Sequence, residues 1–290
     1  MSVIARHISL LFDGFAYGML LFVLSVGLSV TLGMMNFVNL AHGTFAMIGG
    51  YTTVMLMRSA GWPFFATLPI AFVGAAATSL VLERILYRRL YRASDLDQSL
   101  LTIGIVFVSI AAAAYVFGTG QQPVQLPAYL RGRVEFGDFS FGIYRMFLVA
   151  AALVITGLLV LGLEYTRFGS RVRACVDNQR MARGLGLNVD AVFSITFALG
   201  SGLAGLGGAL GIEIVGLDPN FAFKYLVYML IVVAVGGLAS IRGAFVTAAM
   251  LGIIDIVSKY YVPEIGAFVL YFVMVSFLVW RPAGLFVRRS

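Results

Sequence analysis

Seven stretches of this chain hold no Asp, Glu, Lys or Arg: 14–57, 59–82, 98–130, 146–163, 191–212, 225–241 and 265–280. An apolar helix of about 20 residues crosses the hydrocarbon core of a bilayer. Each helix satisfies its own backbone hydrogen bonds in lipid, so a series of such stretches predicts a bundle of spans. A transmembrane barrel would instead alternate apolar and polar residues in short segments, and no such alternation is visible. Composition agrees. A soluble domain carries roughly 25% charged residues, whereas these 290 residues carry 11%, with 61% hydrophobic and mean hydropathy +0.98. The expected fold is an all-α polytopic transmembrane bundle, a single transmembrane domain over 1–290, with about 8–9 membrane segments.

The charges that remain are bunched. Of 20 basic residues, Arg84, Arg88, Arg89 and Arg92 fall in 83–97, and Arg167, Arg171, Arg173, Arg180 and Arg183 in 164–190, while Arg281, Arg288 and Arg289 close the chain. Basic loops stay in the cytoplasm during insertion, so all three segments are expected inside a bacterial inner membrane. The net charge of +7 then records topology and not nucleic-acid binding. Helices at about 98–118 and 144–163 place the connector 119–142 outside. Later spans are expected at about 191–212, 223–241, 243–262 and 265–281. Near the front, 9–32 and 62–82 read as full spans. The stretch 34–57 either crosses, giving nine spans and an outside N-terminus, or is re-entrant, giving eight and an inside one. Met1 to Phe12 runs into the first apolar segment without a cleavage pattern, so that segment is expected to be retained.

No hydrophilic segment is long enough for an enzyme or nucleotide-binding domain. The Gly-rich stretches lack the Lys-Ser/Thr ending of a phosphate loop, and close helix packing explains most glycines. One cysteine, Cys175, forms no internal disulfide. With two histidines and no ligand cluster, neither a metal nor any cofactor is expected.

Polar residues inside a membrane are costly and therefore informative. Asn36, Asn39 and His42, followed by Gly43, recur every three residues and would share one face of an unbroken helix. Alternatively the helix breaks here and the Asn side chains cap freed backbone groups, as in the discontinuous helices of transporters. The cluster thus reads as a translocation path or gate, or as interhelical hydrogen bonding with no solute role. Asp255 stands four residues before Lys259, the spacing of a local ion pair.

The third informative segment is cytoplasmic. Residues 170–183 have helix composition, including Arg171, Arg173, Asp177, Asn178, Arg180, Met181 and Ala182, and Gly184 and Gly186 stop the helix. Leu185 and Leu187 are apolar where the chain should be wet. A short helix with exposed apolar residues among arginines suits docking into a groove on another protein; topological anchoring alone explains the arginines but not the leucines. On the other side, the external loop is charge-balanced, with Arg131, Arg133, Glu135 and Asp138.

Gly27 to Tyr51, with its Asn-x-x-Asn-x-x-His-Gly run, resembles the signature of LivH-type permeases, subunits of branched-chain amino-acid-type ABC importers. The resemblance continues through Arg171–Leu187, the counterpart of that family's ATPase-contacting loop. It resumes at Gly236–Ala244 and ends at Arg281-Pro-Ala-Gly-Leu-Phe286. It implies a pore shared with a second, M-type permease, two cytoplasmic ATPase subunits and a periplasmic binding protein, for which Arg131, Arg133, Glu135 and Asp138 are the candidate docking charges. The implied cargo is a branched-chain amino acid or a related amide, urea or small organic acid. Two positions depart from the pattern: Arg242 stands where the family usually has Pro, and Tyr228 where a Lys is common. A self-sufficient secondary transporter or facilitative channel is the alternative reading.

Overall fold

The computed structural model describes residues 3–35, 37, 39–90, 93–124, 126–238, 240–281 and 284. Asn36, Arg92, Arg288 and Arg289, singled out above, lie outside the described residues. The helices are α1 (Val3–Met35), α2 (His42–Ala60), α3 (Phe64–Leu82), the one-turn α4 (Arg88–Leu90), α5 (Asp95–Phe117), α6 (Ile143–Tyr165), α7 (Arg167–Asp177), α8 (Gln179–Gly184), α9 (Val189–Val215), α10 (Phe221–Gly236), α11 (Ile241–Tyr261) and α12 (Gly266–Trp280). A π-helical turn, Glu83–Tyr87, joins α3 to α4. Among the described residues six helices are long and apolar enough to cross a membrane: 4–33, 64–90, 95–117, 143–165, 189–215 and 241–261. The helices α10 and α12 are apolar but shorter. The all-helical polytopic bundle expected from the charge-free stretches is therefore present.

Helix α1 and α9 form the centre. Of their apolar windows 83% and 78% are buried, against 17% for α5 and α6, which stand at the periphery. Close approach depends on small residues. A Cβ on Gly49 of α2 would collide with the backbone of Gly205 in α9, and one on Gly18 of α1 with Ala248 in α11. Helices without side chains at the contact gain dispersion along their whole length, which drives association where lipid offers no hydrophobic effect. Two hydroxyls inside the bundle turn back onto their own helix α1: Ser25 Oγ donates to Leu21 O at 2.6 Å and Thr31 Oγ1 to Gly27 O at 3.0 Å.

The two ends of the bundle differ. At one, the connector 119–142 folds into an antiparallel hairpin, β1 (Arg133–Phe136) with β2 (Phe139–Gly142), which the sequence reading took as loop. Phe141 packs on Phe12 of α1, with ring centroids 4.9 Å apart, and Arg145 pairs with Asp13. Tyr261, at the end of α11, stacks on His7, and Gln122 N donates to Leu217 O at 2.8 Å. The first residues of α1 thus share an end with the hairpin. At the opposite end lie α7 and α8.

Those two helices correct the expectation of one helix over 170–183. Thr166 caps α7 by accepting from Gly169 N at 3.2 Å, so the helix begins earlier, at Arg167. Asn178 then breaks it, with an extended backbone (φ −156°, ψ 98°) and a side chain that accepts from Met181 N at 3.0 Å to start α8. A polar residue able to cap a new helix competes with continuing the old one.

Candidate functional site

Three groups of residues were expected to carry function, and the structure keeps them at three separate levels of the bundle.

The first is the α1–α2 connection. Helix α1 ends at Met35 and α2 begins at His42, so Asn39, His42 and Gly43 do not share the face of one unbroken helix. Asn39 Oδ1 accepts from Ala41 N at 3.1 Å, capping the freed backbone, while its Nδ2 is buried without a partner. His42 Nε2 lies 3.1 Å from Leu24 O. Leu24 is eleven residues before the end of α1, so at about 1.5 Å per residue α2 starts about 16 Å back along α1. The non-helical residues 39–41, Asn39 among them, therefore lie at about the depth of the bundle's middle. Both Asn39 and His42 are buried, 2% and 1% exposed. Gly43 lets α2 meet α10, since a Cβ there would strike Ala222 O.

The second group is the arginine-rich helix pair. Val172, Cys175, Ala182, Val189, Val192 and Phe193 form a small core of their own beneath it, with Leu187 packed against them. Leu187 is thus not wet, as expected, but an anchor. Its N–H donates to Ala182 O at 3.0 Å, closing the turn for which Gly186 adopts φ +80°. Leu185 and Met181, four residues apart on one face, are 78% and 62% exposed. Around them Arg171, Asp177, Asn178, Arg180, Arg183 and Gly184 face out, Arg183 paired with Asp190 at 2.9 Å. Arg173 instead bonds the carbonyl of Leu163, tying α7 to the end of α6.

The third group, Arg131, Arg133, Glu135 and Asp138, is exposed on and beside the hairpin. Arg133 donates to Ser140 O at 3.3 Å. Arg131 and Arg133, with Arg145 and Glu213, line a polar cleft of about 400 Å³ open at that end.

Glu83, in the segment 83–97 whose arginines alone stand out in the sequence, is a further residue of this region. Its side chain is buried, accepting from Ser194 Oγ of α9 at 3.0 Å and lying 3.4 Å from Arg88 Nε. The five-residue spacing of Glu83 and Arg88 points both one way only on a π-helical turn, which local sequence does not announce. Beside it Tyr87 packs on Phe37 with tilted rings 5.3 Å apart and meets Phe197 edge-on at 5.4 Å, forming an aromatic floor under the α1–α2 connection. Among the described residues no group of three His, Cys, Asp or Glu could hold a metal ion.

Comparison with known proteins agrees with this architecture. The family described as "Branched-chain amino acid transport system / permease component" matches residues 10–278. The chain is 29% identical to the high-affinity branched-chain amino acid transport system permease protein LivH of Escherichia coli K12, over 96% of this chain and 94% of that one. It is 25% identical to BraD of Pseudomonas aeruginosa, over 99% and 98%. The LivM permease of the same E. coli strain is 27% identical, over 92% of this chain and 68% of its own. No solved structure matches. With the match running through both the interrupted helix region and the arginine-rich pair, the chain belongs to the family of permease components of branched-chain amino acid transport systems.

Proposed function

We propose that this chain forms one half of the pore of an ATP-driven importer for a branched-chain amino acid or a closely related small polar solute. The observation that carries this reading is the exposed Met181–Leu185 edge on a helix pair with its own small core. An apolar edge framed by arginines, at the end of a bundle whose Gly-rich stretches lack a phosphate-loop ending, is what a force-transmitting contact with a separate ATPase needs. Two such ATPase subunits would act on this chain and on a second, M-type permease. The relatives named LivH and LivM supply the precedent for a pair of permeases.

In this reading the arginine-rich end faces the cytoplasm and the hairpin end faces outward. The start of α1 is then outside. Helix α2 returns the chain as the second of nine crossings, with α10 and α12 as full crossings despite their length. A solute-binding protein docks over Arg131, Arg133, Glu135 and Asp138. Asn39 and His42 line the path or its gate, an assignment supported by their depth and by the unpartnered Nδ2 of Asn39. Closure of the ATPases pushes α7–α8, and α9, which follows directly, tilts against α3.

The test is substitution of Met181 and Leu185 together by Asp. The expected result is a permease that reaches the membrane but neither retains the ATPase nor supports uptake. Normal ATPase retention and uptake would overturn the coupling assignment.

A further inference from the structure

Away from the three groups above, the ionisable pair Asp255–Lys259 sits within the span of α11. Asp255 of α11 is 1% exposed, six residues before the helix ends at Tyr261, about 9 Å deep at 1.5 Å per residue. Its Oδ2 is 2.6 Å from Lys259 Nζ. Its Oδ1 is buried and has no hydrogen-bond partner. A carboxylate kept only to hold helices together would have both oxygens satisfied, because an orphaned acceptor in a low-dielectric interior costs free energy.

The surroundings are unusual as well. Helix α11 packs on α1, α10 and α12, which bring Tyr17, Tyr225, Tyr228 and Tyr271 to the neighbourhood of Asp255. Tyr225 and Tyr228 have their rings 5.8 Å apart. Phenol rings beside a carboxylate suit an ammonium group, which gains from both the charge and the ring faces. Access is through Lys259, whose side chain is 44% exposed and flexible, and past the half-buried Tyr228 and the exposed Tyr271.

We propose that Asp255 and Lys259 form a subsite for a zwitterion near the hairpin end of the permease. Lys259 holds the place of the ligand's ammonium in the empty protein. An arriving α-amino acid puts its ammonium on Asp255 while Lys259 swings out to its carboxylate, so one ion pair becomes two. The ion pair is the mirror image of the ligand, so the exchange leaves no buried charge alone, which is the main cost of moving charges from water. An isolated amine leaves Lys259 unpaired, and a hydroxy acid leaves Asp255 with nothing better than the lysine it had. The subsite rests on the amino-acid reading of the transported solute and adds the residues that read its two charges.

Binding to the purified permease with its co-purifying partners, without the solute-binding protein, tests this. The probes are L-leucine, 3-methylbutylamine, which lacks the carboxylate, and 2-hydroxy-4-methylpentanoate, which lacks the ammonium. Wild type is expected to bind leucine at least about tenfold more tightly than either analogue, a difference of about 1.4 kcal/mol. Asp255→Asn should lose the preference for leucine over the hydroxy acid. Lys259→Met should lose the preference for leucine over the amine while keeping the amine. No leucine binding by wild type, or both preferences intact in the variants, would overturn the subsite. If Asp255→Asn does not fold, the Lys259→Met result decides alone. ATP-dependent leucine uptake by the wild-type assembly is measured in parallel: its absence counts against the proposed function, and its presence with unaltered variant selectivity counts against the subsite only.

Discussion

Ser194, in the second turn of α9, donates a 3.0 Å hydrogen bond to the buried carboxylate of Glu83 in the π-helical turn after α3. The bond joins the helix that follows the arginine-rich pair to the aromatic floor beneath the α1–α2 connection. Ser194→Ala removes this donor from the buried carboxylate and should destabilise the permease by about 1–3 kcal/mol. Glu83→Ala should cost more than Glu83→Gln, because the amide can still accept from Ser194. Arg88, 47% exposed, adds little, since solvent screens the pair. Thermal unfolding in detergent ranks the three variants.

Gly49 faces the backbone of Gly205, and Gly208 faces that of Ala46. Gly49→Leu should separate α2 from α9, since no flexible side chain is present to yield, and overpacking typically costs about 1–3 kcal/mol or more. The expected outcome is a large fall in the amount of folded permease in the membrane fraction, measured by fluorescence-detected size exclusion. Gly104 has nothing within 4 Å of an added Cβ, so Gly104→Ala should be tolerated.

Cys175 lies in α7, fully buried, and burial pushes its thiol above its ordinary range despite the nearby charge of Arg183. The thiolate is the reactive species, so maleimide labelling of the folded permease at neutral pH should be slow and should rise with pH. Denaturant should make it immediate. Fast labelling of folded protein at pH 7 would mean that the small core under α7 and α8 is not closed.

Much of this was legible in the sequence because two signals are physically strong. Charge-free stretches located the helices, and the bunched arginines located α7–α8, since both reflect the cost of charge in lipid. The Asp255–Lys259 pair followed from helical spacing and is present at 2.6 Å. Other features are tertiary. Leu185 and Leu187 look alike in sequence, but only Leu187 reaches the core of Val172 and Cys175. Glu83 looks like a loop charge until Ser194, 111 residues away, is brought against it. The hairpin 133–142 turns on Gly137, at φ +61°, within a connector whose charges and prolines suggested only loop.

Reversing the charge of Arg131 and Arg133 to Glu, at the mouth of the polar cleft, should slow capture of a loaded binding protein without changing ATPase retention. Rim charges act mainly on association rate and its salt dependence. Uptake should therefore fall most at low ionic strength and low binding-protein concentration. Equal uptake at every salt concentration would remove these arginines from the docking surface.

The energy source is the central claim, and flux through proteoliposomes addresses it most directly. The chain is reconstituted alone, and with its second permease, its ATPases and the binding protein, and labelled leucine uptake is followed with and without internal ATP. The account predicts uptake only in the full assembly with ATP, lost when Met181 and Leu185 are both Asp. Uptake by the chain alone, driven by an ion gradient or running passively, would contradict it.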